Sequence, residues 1–555
     1  MFKLNRKDGL AIIFLLLFTG LTFGYRMGSL SLTDPDEVFY AQTAKEMLQQ
    51  KTWGIPYIFG QPQFEKPILF YFLLAVTFKF FGISTTAARV WPCLFGIFGV
   101  VLTYIFGAKL YGRKTGLISA IVLATGLEYL ALSRAVLTDI VFSVLLAAAL
   151  MFFYLGFSDE KQQTKCFIAM FVFSALATLT KGPIGIILLL LVIFVFLLLK
   201  GRLDIFASSA FLKGLAVFAV VCLPWYIYIC FTHGRQFFAD FILRDNLQRF
   251  FYIAEHEKND TWYFYPLTTL GCFIPWAPFL AAALFKMPWR QPIKPTKDNH
   301  SLFLICWTVI IFFFFQMAKS KLTSYVFPIF PALAIITGRY FKEEMYDTSG
   351  KRHRVFVLGM VFIALAFVSL GLYGLYYNKQ HNFLPWGPAL VPLFCLGLPS
   401  LLALIFSLFR KYRWAFGTIA ASIVLLVIVG QTFLIKYIDP WVSSRESAEI
   451  LKRRLAGKKT TIVSNKFFAR GLLYYTDLPI VVMDTSPRPF FASHPIPVVY
   501  TNLQIILFFQ SQPETYCVVK KGNFKKINFW KGWQLKIENL YQDKGRYIVR
   551  VVPIK

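Results

Sequence analysis

The segment LTDPDEVFYAQTAKEML, residues 32–48, places Asp34, Asp36 and Glu37 within four positions, directly after the first long apolar run. Carboxylates this close suit base chemistry or the holding of a hard divalent cation such as Mg2+ or Mn2+. Cations recur in short segments farther along. FEKPILFY supplies Glu65 and Lys66, SRAVLTD supplies Arg134 and Asp139, and TKGPIG supplies Lys181. RDNLQRF carries Arg244, Asp245 and Arg249, and AKSKLTSY carries Lys319, Lys321 and Tyr325. Acids and cations in one place are what a phosphate-bearing substrate and its reaction centre require. A carboxylate acts on the acceptor, and cations neutralise the charge growing on a departing phosphate. Asp36 and Glu37 form the acidic pole of the expected site. With Asp139 they are the metal candidates, although three acids alone fix neither a metal nor its geometry.

What must position these residues is a membrane. Of the 555 residues 57% are apolar, and 62 are Phe, the composition of a polytopic membrane protein. A helix needs about 20 apolar residues to cross roughly 30 Å of hydrocarbon. Such runs occur near 9–28, 90–108, 116–133, 139–157, 166–180, 183–199, 214–231, 265–285, 301–317, 323–338, 355–376, 388–409 and 415–435, thirteen in all. The run 67–82 is shorter, begins at Pro67 and contains Lys79, and reads as an interfacial helix. With it left out, basic clusters such as Lys109/Arg113/Lys114, Lys200/Arg202/Lys213 and Arg410/Lys411/Arg413 all fall on one side, the cytoplasmic side. The amino terminus is then cytoplasmic, and the charged segments above share the outer face, in a first outer loop 29–89, an outer loop 232–264 and shorter turns. The first span has no small-residue cleavage site and reads as a retained anchor.

Past Pro440 the apolar runs shorten to strand length, as in TTIVS, PIVVM, TYCVV and RYIVRVV. The expected organisation is a membrane domain, 1–438, and a small α/β domain, 439–555, on the outer side. That domain is basic, which favours an anionic membrane surface or a merely solvated one. No nucleic-acid partner is expected. Ion-coupled transport is the competing class, but transporters keep ionisable groups near the bilayer midplane, and stretches such as 166–180, 183–199 and 301–317 contain none.

At these residues the chain resembles the C-type glycosyltransferases, and within them the protein O-mannosyltransferases and the bacterial lipid A aminoarabinose transferases. PDEVFYAQTAKEM is similar to their acidic first-loop motif, FEKPI to its Lys-Pro companion, LTD to the second-loop acid, and NLQRF, TWYFYPL and AKSKLTSYVFPIFPALA to later stretches. The resemblance implies thirteen spans, a periplasmic site, a polyprenyl-phosphate sugar donor, a glycolipid or protein acceptor and, in bacterial members, a soluble carboxy-terminal α/β domain. It also implies a bacterial inner-membrane location. Asp36 corresponds to the catalytic carboxylate, with Asp139 as a second acid. Glu37, Glu65, Lys66, Arg134, Lys181, Arg249, Lys319, Lys321 and Tyr325 are the expected substrate-site residues. Asp34 lies outside the motif. The aminoarabinose transferases have Arg and His where this chain has Phe39 and Asn246, so a phosphate-binding cation and a titratable group are missing. Glycolipid modification is the leading expectation, and protein O-glycosylation the second.

Overall fold

The structure, a computed structural model, describes residues 5–248, 261–286, 299–345, 353–484 except 456 and 459, and 496–554 except 544. Among the described residues nine helices are long and apolar enough to cross a bilayer. They are Arg6–Gly24, Thr85–Tyr111, Thr138–Ser158, Glu160–Lys181, Ser209–Asn246, Asn299–Met317, His353–His381, Trp386–Leu408 and Tyr412–Val442. A tenth arises if Phe264–Cys272 and Ala277–Lys286, which meet at 118°, form one broken span.

The other three expected spans are short or interrupted. Ile184–Lys200 is a single helix of 17 residues. The run 116–133 divides into Arg113–Ala124 and Leu127–Leu132, because Gly126 takes an extended conformation between them. The run 323–338 opens as the tight turn Thr323–Ile329, with Pro328 inside, before Phe330–Met345 continues as α-helix. Proline has no N–H for the α ladder, which favours such a break. Leu69–Phe81 has 13 residues, too few to cross, in keeping with an interfacial reading.

The chain divides into two compact units, Met1–Met27 with Val90–Leu434, and Gly28–Arg89 with Ile435–Lys555. The boundary expected at 438 therefore does not isolate the carboxy-terminal domain, since the first outer loop belongs to its unit.

In the first unit the numerous phenylalanines pack ring against ring. Tyr154 and Phe303 stack at 4.6 Å, with Phe196 edge-on to both and Phe153 edge-on to Phe196. Lipid tails are as apolar as these side chains, so close packing rather than escape from water holds the helices together.

The second unit contains a short hairpin, β1 (Tyr57–Ile58) and β2 (Gln61–Pro62), and a six-stranded sheet. Its strands are β3 (Ile462–Ser464), β4 (Ile480–Met483), β5 (Val498–Val499), β6 (Thr515–Lys520), β7 (Leu535–Asp543) and β8 (Arg546–Pro553), in the order β5-β4-β3-β6-β8-β7. The first four are parallel, β8 pairs antiparallel with β6, and β7 pairs antiparallel with β8. Alternate residues face opposite ways along a strand. Val463, Cys517 and Val549 accordingly join Phe509, Ile527 and Trp530 in one core, and Ile462, Val518 and Ile548 join Leu451, Phe468 and Leu472 in another. The sheet is thus covered on both faces. The helix Asp36–Gln50 packs on Lys466–Thr476 and on Leu69–Phe81.

Candidate active site

In the membrane unit, three of the expected residues converge. Asp139 stands in the first turn of Thr138–Ser158, and Lys181 is the last residue of Gln163–Lys181. The ammonium of Lys181 donates to Asp139 Oδ1 at 2.7 Å, with both side chains largely buried at 15% and 12% exposure. Lys181 Nζ also lies 5.3 Å from the ring centres of both Tyr325 and Phe142, where the negative ring faces favour a cation. Gly182 makes this turn attainable. Its φ of +101° suits glycine, and a Cβ there would come within 2.8 Å of the Phe241 ring.

Two residues outside the expected set complete the cluster. Glu128, on Leu127–Leu132, is buried and within electrostatic reach of Asp139 and Lys181. Tyr265, from the TWYFYPL stretch, is fully buried and lies close to Tyr325 and Glu128. A largely buried ammonium paired with one carboxylate and faced by aromatic rings can donate to a phosphate oxygen, because the fixed charge needs little reorganisation.

Lys319 and Lys321, one residue apart, differ in setting. Lys319 is exposed, whereas Lys321 is 2% exposed. Arg134 donates through both terminal nitrogens to the carbonyls of Thr22, Phe23 and Tyr25, at 2.8–3.1 Å. These are carbonyls at the end of the first helix, which would otherwise lack partners. Arg134 therefore fixes where the first span stops. Arg244 pairs with Asp240 at 3.2 Å, and Asn246 donates to the Phe241 carbonyl at 2.6 Å. Arg249 lies outside the described residues.

In the second unit, Asp36 and Glu37 open the helix Asp36–Gln50, where negative charge favours the dipole. Neighbouring positions on a helix point about 100° apart, and these two separate accordingly. Asp36 is exposed, and Glu37 is 3% exposed. Both Glu37 oxygens are engaged, Oε1 by Arg89 Nε at 3.1 Å, and Oε2 by Arg89 Nη2 at 2.7 Å and by the Thr33 amide and hydroxyl at 2.9 and 3.0 Å. Arg89 also holds the Leu30 and Ser31 carbonyls. Glu37 thus braces the segment that carries Asp36. Glu65 and Lys66 stay half-buried, with Lys66 Nζ donating to the Glu65 carbonyl at 2.9 Å.

The same segment is held by the carboxy-terminal domain. Ser31 donates from its amide and hydroxyl to Asp439 at 2.6 and 2.9 Å, the Leu32 amide donates to the Tyr475 hydroxyl at 3.0 Å, and the Asp34 amide to the Val442 carbonyl at 2.9 Å. Asp34 Oδ2 accepts from the Ser444 amide at 2.7 Å. A Cβ at Gly471 would overlap both the Asp34 carboxylate and the Ser444 hydroxyl, so only glycine lets this helix come so near. Burial pushes the Asp34 carboxyl up to about 7, opposed by the bonds from Ser444 and by the charges of Arg546 and Arg470.

Arg470 is the functional candidate that the sequence concealed. From Lys466–Thr476 its guanidinium sits 5.1 Å over the Phe39 ring and donates to the Pro35 carbonyl at 3.3 Å. Position 39 lacks the motif's arginine, and a cation from a distant helix stands over the ring found there.

As to a metal, no three His, Cys, Asp or Glu side chains among the described residues are grouped to hold one. Of the expected trio, Glu37 is bound by Arg89 and Asp139 by Lys181.

Residues 11–241 match the family model described as dolichyl-phosphate-mannose-protein mannosyltransferase. The undecaprenyl phosphate-alpha-4-amino-4-deoxy-L-arabinose arabinosyl transferase of Wigglesworthia glossinidia brevipalpis is 30% identical over 349 residues, 61% of this chain and 60% of that protein. An uncharacterized protein of Aquifex aeolicus is 27% identical over 464 residues, 83% of this chain and 86% of its own. Among solved structures, ArnT from Cupriavidus metallidurans superposes in the apo state with a TM-score of 0.77 at 18% identity, covering 98% of each chain. Its structure bound to undecaprenyl phosphate gives 0.76 at 17% identity, covering 98% of this chain and 97% of that one.

Proposed function

We propose that the chain is a C-type glycosyltransferase of the protein mannosyltransferase and aminoarabinose transferase family, and that it moves a sugar from a polyprenyl-phosphate donor to a glycolipid acceptor of lipid A type, on the outer face of a bacterial inner membrane. The observation that carries this reading is the Lys181–Asp139 pair under the Tyr325 ring. It offers a desolvated cation to an anionic leaving group within a unit whose apolar helices allow a long prenyl tail to lie alongside.

In the proposed reaction the acceptor oxygen bonds to the anomeric carbon while the bond from that carbon to the donor's phosphate oxygen breaks. The polyprenyl phosphate departs with the electron pair, and Lys181, with Lys321, stabilises its growing charge. Exposed Asp36 acts on the acceptor. It takes the proton of a hydroxyl, or orients a phosphate acceptor that is already ionised. Glu37 and Arg134 act through the main chain, as positioning residues.

Protein O-glycosylation is the second reading, favoured by the match of residues 11–241 to the mannosyltransferase model. Both are tested in proteoliposomes carrying undecaprenyl-phosphate aminoarabinose or polyprenyl-phosphate mannose, offered lipid A or a Ser/Thr-rich peptide. Mass spectrometry should find the sugar on the lipid. Labelled peptide alone would favour the second reading, and intact donor in every arm would refute both.

A further inference from the structure

The chain passes from β3 outward to β4 and β5 on one side, then returns to β6 on the other side of β3. Where a parallel sheet reverses direction in this way, the connections leaving neighbouring strands diverge and open a crevice at their carboxyl ends, the usual ligand position in such sheets. Here a crevice of about 420 Å³ lies at that point. Its wall contains Lys466, Arg470, Lys520 and Lys526 against a single acid, Asp484, and is completed by Asn465 and Asn523. The arrangement is built from the strand ends, since Asn465 Oδ1 accepts from the Lys520 amide at 2.7 Å and ties β3 to β6. Lys520 Nζ lies 4.4 Å from the centre of the Phe467 ring, which places that ammonium on the crevice side of the helix Lys466–Thr476.

Pro35, the residue before Asp36, also lines this crevice. Arg470 therefore faces two ways, into the crevice and onto the opening segment through its bond to the Pro35 carbonyl.

We infer that this crevice binds a phosphate group of a phosphorylated saccharide headgroup. Four cations to one carboxylate select an anion. The volume suits a phosphorylated sugar rather than a bare ion, and the two asparagine amides offer donors and acceptors to hydroxyls. Because Pro35 lines the crevice, a headgroup seated there meets the segment that leads into Asp36. That this headgroup belongs to the acceptor rests on the proposed function, whereas the binding does not.

The test uses the full chain in uncharged detergent, with a glucosamine disaccharide that bears two phosphates and no acyl chains as the probe. Calorimetry should show binding that falls at least tenfold in a Lys466→Gln/Lys520→Gln variant and in Asn523→Asp, which adds a repelling charge. Lys458→Gln, at an exposed lysine outside the crevice, should bind as the wild type does. Removing the phosphates from the probe should abolish binding. Unchanged affinity in the variants, or equal affinity for the dephosphorylated probe, would overturn the inference. Inorganic phosphate binding as tightly as the disaccharide would replace the headgroup by free phosphate. Thermal unfolding confirms that each variant is folded. No donor or turnover enters the measurement, so a chain that binds the probe but transfers nothing retains the crevice and loses the proposed reaction.

Discussion

Replacing Asp34 by Asn tests whether the opening segment is clamped by the carboxy-terminal domain. The Asp34 carboxyl is 8% exposed, and burial raises it from an ordinary 3.8 to about 7. At about 1.36 kcal/mol per pH unit the difference corresponds to about 4 kcal/mol. The sign follows from which state holds the proton. Below about pH 4 both folded and unfolded chains are protonated, and the carboxyl costs nothing. Between about pH 4 and 7 the unfolded chain releases its proton while the folded chain keeps it, so stability falls with rising pH until the folded group also ionises. Asn has the same shape and does not titrate. Its oxygen can accept from the Ser444 amide, and its NH2 can donate to the Ser444 hydroxyl. Thermal unfolding of the full chain, followed by tryptophan fluorescence from pH 4.5 to 7.5, should show the wild type losing ground to Asp34→Asn. At roughly 2–4 °C per kcal/mol for a unit of 150–250 residues, the relative shift approaches about 10 °C. The other carboxylates are common to both proteins and cancel. Parallel curves across this range would mean that Asp34 is hydrated and that the segment before Asp36 is not held as described.

Glu37→Gln should lower thermal stability by about 3–5 kcal/mol, because it leaves Arg89 buried without its counter-ion, and a Glu37→Leu/Arg89→Met pair should recover most of that loss. A purely catalytic Glu37 would instead leave the unfolding temperature unchanged in Glu37→Gln. Lys181→Gln should reduce single-turnover transfer about a hundredfold, on the order of 3 kcal/mol in the barrier, at equal protein level. Lys79→Gln, at a lysine 5.2 Å from the Trp53 ring in the interfacial helix, should stay within about fivefold of the wild type, in line with the small worth of exposed ion contacts. A reporter active only outside the cytoplasm and fused after Lys555 should give signal, whereas activity of a cytoplasmic reporter would invert the topology.

The apolar architecture was legible because bilayer thickness dictates run length, and every expected span has a helix or a broken helix in its place. The breaks at Gly126 and Pro328 escape a hydropathy reading, which averages over single residues that the backbone cannot ignore. The junction of Asp139 with Lys181 and Tyr325 was legible as a set of outer turns, since helix ends of one sidedness must share a face. Sequence adjacency joins Glu37 to Asp36 as one acidic pole and hides the 100° turn between them. Arg89 reads as an ordinary residue near a helix start, and only the fold shows it meeting Glu37 52 positions away. Asp34 and Arg470 depend on contacts between the first outer loop and a domain some 400 residues later, and the crevice lysines on strand ends that the sheet brings together; such pairings leave no local periodicity to find.

The central claim is transfer of a sugar to a glycolipid through Asp36, and mass spectrometry of lipid A from cells lacking the gene tests it most directly. Cells restored with the wild-type chain should carry a glycolipid heavier by one sugar. Cells lacking the gene, or restored with Asp36→Asn at equal protein level, should not. An identical glycolipid profile in all three would contradict the account.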